Sequence, residues 1–354
     1  MKNFKTPLLV LAIALLQNCS PSKNLGNSDG ETQTVSALEN STFKKSFASI
    51  KAEEMKTNLF VIASDEMQGR DTGSPGQKKA GEYVVNFYKN LGINHPPTMD
   101  SYYQKVPADF MNKKSRGETL PDSENILAFI EGTEKPNEII VISAHYDHVG
   151  TKNGVVYNGA DDDGSGTVAV MQMAKAFQEA KKSGKGAKRS VLFLHVTGEE
   201  HGLFGSSWYS ENPIFPLENT VADLNIDMIG RDDQENRGKQ YVYVIGSEML
   251  SSELKKINEA TNDSTVKLEL NYKYDDPKDP ERLYYRSDHY NFAKHNIPVA
   301  FFFDGIHEDY HKPTDDPDKI DYNLLQKRAQ LIFSTAWELA NRNERIVVDG
   351  KNTR

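Results

Sequence analysis

Glu199 and Glu200 stand side by side in HVTGEEHGLFG, residues 195–205. Adjacent carboxylates in a partly buried place repel unless a cation or a shared proton compensates them. The pair therefore demands a partner elsewhere in the chain, and four other segments carry residue types that would answer. They are His145 and Asp147 in ISAHYDHVG, Asp161, Asp162 and Asp163 in NGADDDGSG, Asp227 in LNIDMIG, and His311 in FFFDGIHEDYHKPTDDP. Imidazole and carboxylate together are the ligand types of divalent metals.

Each segment also has a plainer reading. A histidine on an apolar strand is more often a satisfied core residue. If the His145 imidazole binds a metal, Asp147, two residues on and on the same side of extended backbone, can orient it. Acids before a helix are favoured as caps, but three in a row exceed what a cap needs, and the flanking glycines allow one carboxylate to be aimed inward between two cations. Asp227 interrupts an apolar run, which is costly unless it is paired or metal-bound. His307 to His311 spells HExxH, the pattern of single-zinc metalloproteases. That pattern needs a helix, whereas here a strand-like Phe301–Phe303 and Gly305 precede and Pro313 follows, so the reading is set aside.

The elements that must position these groups alternate. Strand-like runs cover residues 125–130, 138–144, 190–196, 221–229, 240–245 and 298–303, and helical patterns cover 76–92, 167–181, 251–260 and 322–341. The alternation predicts an α/β fold, a mixed, mostly parallel twisted sheet covered by helices on both faces, with an antiparallel hairpin over residues 125–144. Residues 95–124 and 265–285 lack periodicity and read as irregular excursions. In such a sheet, ligands gather where strands end, and the candidate groups lie there.

The ordered set of segments resembles the co-catalytic di-zinc aminopeptidases, the family of the bacterial leucyl aminopeptidases and aminopeptidase Y. The similarity runs from MQGRDTGSPGQKKAGEYVVNFYKNLG at Met67 through SAHYDHVG, GADDDGSG, TGEEHGLFGS, NIDMIG and RSDHYNFAKHNIPVAFF to DYHKPTD. The resemblance implies a zinc-exopeptidase (phosphorylase/hydrolase-like) fold and two Zn2+ per chain. It implies that Asp161 bridges them, that Glu200 and His311 complete one site, and that His145 and Asp227 complete the other. Glu199 would be the general base, Asp147 the orienter of His145, and the Asp161–Asp162 peptide bond cis. The implied activity is a metallo-exopeptidase, an aminopeptidase acting on peptides with a free N-terminus. Alternatives on the same scaffold are a glutaminyl cyclase using one zinc and a non-catalytic surface binding protein. The role of His289, in RSDHY, is left open.

The 354 residues, 37% hydrophobic and 26% charged, suit a globular enzyme, and a net charge of −9 without a basic block argues against a nucleic-acid partner. Lys2 and Lys5 before the apolar stretch 7–16 read as an export signal. Cys19, the only cysteine, rules out an internal disulfide and resembles the lipid-modified residue of a bacterial lipoprotein. The expected organisation is a signal peptide at 1–18, a lipid-anchored flexible tether at 19–45 and a single catalytic domain at 46–354. The protein is expected at the cell envelope, touching the membrane only through its anchor.

Overall fold

Residues rich in β-branched and aromatic side chains form β1 (Tyr103–Val106), β2 (Ser123–Ile130), β3 (Lys135–His145), β4 (Thr151–Lys152), β5 (Val155–Val156), β6 (Arg189–Val196), β7 (Thr220–Ile226), β8 (Tyr241–Ile245), β9 (Glu269–Asn271) and β10 (Val299–Phe303). Eight of them make one mixed sheet in the order β1-β2-β6-β3-β7-β10-β8-β9, while β4 and β5 pair separately. The computed structural model describes residues 1–2 and 36–350, apart from 116, 118 and 277. The described residues 36–350 belong to one unit. The expected signal peptide beyond residue 2, and Cys19, lie outside the described residues.

Alternation along the strands builds two cores. On one face Ile140, Ile142 and Ala144 of β3 and Val191 and Phe193 of β6 pack with Phe43, Met55, Val84, Phe177, Ile257 and Trp337. These last come from α1 (Ser41–Ser49), α2 (Ala52–Ile62), α3 (Pro75–Leu91), α5 (Gly166–Lys182), α7 (Ser252–Ser264) and α9 (Tyr322–Asn341), with α4 being Ala108–Lys114. On the other face Ile139, Val141, Leu192, Leu194 and Val196 meet Tyr209 of α6 (Phe204–Glu211) and Phe292 of α8 (His289–Ala293). Period-2 alternation thus sends each strand's side chains to both helical layers. Phe177, whose ring touches those of Phe193, Phe333 and Trp337, ties sheet to helices; truncating it to Ala would cost about 3–5 kcal/mol.

The expected hairpin over residues 125–144 does not form. β2 and β3 each pair with β6, which lies between them, antiparallel to β2 and parallel to β3. Their connection crosses the start of β6 at Gly132, where a Cβ would come within 2.5 Å of the Arg189 backbone. β6 is buried along its whole length, so it needs a partner on each edge, and that long-range demand overrides the local one. The tether boundary also moves. Leu38 and Phe43 are buried, and the Ala37 amide donates to Glu338 on α9 at 3.1 Å, so the described fold begins at Ser36, because these few apolar side chains find a ready groove on α9. The excursions hold β1, α4 and β9, too short to show a period.

β3, β6, β7 and β10 run parallel. Their C-terminal ends therefore share one edge, where His145, the Glu199–Glu200 turn, Asp227 and the His311 loop meet the turn that starts α5.

Candidate metal centre

His145 is the last residue of β3, and its ring is fixed from behind. Nδ1 lies 3.1 Å from the backbone oxygen of Asp147. A carbonyl only accepts, so Nδ1 carries the proton and Nε2 presents its lone pair. That nitrogen faces Asp162 Oδ1 at 3.2 Å and Asp227 Oδ1 at 3.5 Å. The Asp147 carboxylate is farther from the ring, at 3.8 Å. It accepts instead from Thr72 Oγ1 and from the amides of Glu199 and Glu200. Asp147 orients His145 through its main chain, and its side chain holds the glutamate turn.

Asp162, rather than Asp161, stands between the two halves. Its Oδ2 lies 3.0 Å from His311 Nε2, and that nitrogen is also 3.0 Å from Glu200 Oε2. Asp161 is turned away: Oδ1 accepts from the Gly230 amide at 2.7 Å, and Oδ2 faces His307 Nε2 at 3.2 Å. The physical reason is anchorage, since the Asp315 carboxylate takes the amides of both Asp161 and Asp162 and fixes which way the turn presents its side chains. The cis peptide bond is Asp162–Asp163, one residue beyond the expected place. Asp163 Oδ1 accepts from Gly166 at the start of α5 and from Met228, which is the capping role. Asp227 Oδ2 accepts from Ser287 Oγ at 2.7 Å.

Electrostatics mark the place as one that lacks positive charge. Burial pushes the Glu199 carboxyl well up, and Asp227, Asp288 and Glu200 add to it against the opposing His145. Burial would lower His311, but Asp162 and Glu200 outweigh it and take it up to about 10. Asp162, despite burial, is held well below the carboxylate range by His145 and His311. His145 Nε2, Asp162 Oδ2, Asp163 Oδ2 and Glu200 Oε1 are buried and make no hydrogen bond. Ligand-type atoms of His145, Asp163 and Asp227 lie within 4.8 Å of one another, as do those of His148, Asp162 and Glu200. Imidazole and carboxylate groups with unused lone pairs, gathered on both sides of Asp162, fit two zinc ions.

The remaining histidines sort themselves out. His307 lies in an irregular stretch and His311 on a turn, neither on a helix, and they face different acids, so the HExxH reading fails. His289 is fully buried and stacks on Phe301 at 4.7 Å; His195 meets the Tyr88 hydroxyl and His201 meets Asp71. Sequence reasoning had Asp162 only as one of three candidate aspartates, with the bridge given to Asp161, and missed His148, Ser287, Arg286 and Tyr310. His148 sits in the same motif as His145, which was the available signal. Arg286 and Tyr310 line a cavity with Asp162, Glu199 and Asp227, whose apolar side is Met228, Leu283, Phe301, Phe303 and Ile306. Phe301 and Phe303 thus face both core and cavity.

The fold and the site together define a metal centre of imidazole and carboxylate groups at the C-terminal ends of parallel strands. The chain belongs to peptidase family M28, which it matches over residues 125–336. It is similar to a probable leucine aminopeptidase of Arthroderma otae, 29% identical over 82% of this chain and 77% of that protein. Its fold is similar to that of BSAP, a zinc aminopeptidase from Bacillus subtilis, with TM-score 0.63, 17% identity and coverage of 85% and 99% of the two chains. The fold is also shared with a Porphyromonas gingivalis glutaminyl cyclase, with TM-score 0.61, 17% identity and coverage of 80% and 97%.

Proposed function

We propose that the protein is a zinc-dependent aminopeptidase that hydrolyses the first peptide bond of peptides with a free N-terminus. The observation that carries this reading is Asp162, whose two oxygens face different histidines, His145 and His311, from opposite halves of the centre. Asp162, His145 and Asp227 would hold one zinc ion, and Asp162, Glu200 and His311 the other. Two zinc ions held there would lower the pKa of water and polarise the scissile carbonyl.

Glu199 lines the same cavity and is the one carboxylate of that wall not assigned to a cation. It takes the proton from the attacking water as the new C–O bond forms, and delivers it to the departing amine as the C–N bond breaks. Arg286 and the Tyr310 hydroxyl, on the cavity wall, are placed to donate hydrogen bonds to the substrate. The apolar side favours an apolar first side chain, in keeping with the name of the Arthroderma otae relative. The test is Glu199→Gln, which should retain bound zinc and lose release of amino acids from unblocked peptides. Cyclisation of N-terminal Gln with one zinc per chain would instead support the cyclase alternative.

The location belongs to the same proposal: export, followed by lipid attachment at Cys19, tethers the enzyme at the cell envelope. The support is the sequence pattern at residues 1–19. Labelling with a fatty acid that Cys19→Ser abolishes is the expected result; equal labelling of both would reject the anchor.

A further inference from the structure

The five residues implied by family resemblance, even with Asp162 in place of Asp161, leave a sixth metal-type side chain unassigned at the centre. His148 is fully buried, and its Nδ1 lies 2.8 Å from Glu200 Oε1 and 3.7 Å from Asp162 Oδ2. Its backbone amide is tied to the Arg70 carbonyl at 3.1 Å. Its ring lies edge-on to that of His311, with centroids 5.7 Å apart. Gly159 closes the other side: it has φ +54°, and a Cβ there would come within 2.5 Å of the ring. The ring therefore has little room to move.

Glu200 consequently meets a different histidine on each oxygen, His148 on Oε1 and His311 on Oε2. Two ligand atoms on one tetrahedral zinc, with bonds of about 2.0–2.1 Å, stand about 3.3 Å apart. The His148–Glu200 separation is shorter and has the length of an N–H to carboxylate contact, about 2.7–2.9 Å, although the two atoms do not meet with hydrogen-bond alignment. We propose that His148 is a positioning residue whose Nδ1–H closes onto Glu200 Oε1 when the cation is held, so that Oε2 is aimed at the cation shared with His311 and Asp162. This rests on the two-cation reading above.

The proposal makes the effect one-sided. Losing the donor leaves Oε1 buried without a partner and frees Glu200 to swing, while His145 and Asp227 keep their own supports in Asp147 and Ser287. Supports of this kind are typically worth about 10–100-fold in metal affinity. Asn at position 148 can place an amide N–H where Nδ1 stands, whereas Gln, one carbon longer, carries its amide past that point.

The experiment titrates metal-free full-length protein with Co(II), following calorimetry and visible absorption, for wild type, His148→Asn and His148→Gln, with thermal melts to establish folding. Wild type should bind two ions. His148→Gln should keep the first step and weaken the second about 10–100-fold, with a changed spectrum for the second ion only, and His148→Asn should recover most of the loss. Second-step affinity in His148→Gln equal to wild type overturns the proposal. So does Asn as poor as Gln, which would make His148 a ligand rather than a donor. A wild type that takes up fewer than two ions instead overturns the two-cation reading on which it stands.

Discussion

The two halves of the centre are built differently. His145 is sealed, with 1% of its side chain exposed, at the end of an interior strand, and both it and Asp227 have a fixed partner behind them. His311 is 38% exposed, lies on a loop and has φ +54°, a conformation that costs a non-glycine residue of order 1–3 kcal/mol. That loop is retained by Asp309, which engages Arg231, Lys319 and Thr314. Rigid strand ends therefore define one cation position, and a clamped loop completes the other. The first half should hold its ion more tightly, and the second should be the exchangeable one.

The largest expected effect breaks both halves at once. Asp162→Ala removes the only carboxylate that faces both His145 and His311 among the described residues, and should abolish binding of both ions and all turnover, as read by metal analysis and peptide hydrolysis. Glu199→Gln should lower kcat about 10²–10⁴-fold with both ions retained; loss of metal from this variant would place Glu199 among the ligands. His311→Ala should empty one half and spare the other, so that chelator titration shows a single remaining tight ion. Asp309→Ala, which loosens the loop without touching the ligands, should weaken only the labile ion and lower activity several-fold.

Acid should separate the halves as well. With no cation bound, burial would lower both imidazoles, but Asp162 and Glu200 outweigh it and raise His311 to about 10, and Asp227 and Asp162 likewise raise His145. An ion binding in either half must displace a proton, so both affinities fall as pH falls. The loop half, where the His311 side chain is 38% exposed, is expected to release its ion first on acidification because it is the less rigidly held, and release of both together would contradict the asymmetry.

Much of this was legible because strand ends are chemical boundaries. The apolar runs that lead into His145 and Asp227 marked ligand positions, and α3 and α9 announced themselves by their helical period. Three adjacent aspartates, by contrast, carry no internal sign of which one faces inward. That choice is made by Asp315, Gly230 and His307, more than 60 residues away in sequence and brought in only by folding. The hairpin expectation failed for a similar reason, because the insertion of β6 between β2 and β3 is a long-range pairing. His148 was passed over because Asp147 already satisfied the motif beside it.

The most direct measurement is the zinc content per chain of purified wild type, Asp162→Ala and Asp161→Ala. Two ions, almost none and close to two are the expected values, since Asp161 spends its carboxylate on Gly230 and His307. Fewer than two ions in the wild type, or a loss in Asp161→Ala as complete as in Asp162→Ala, would contradict a centre shared across Asp162.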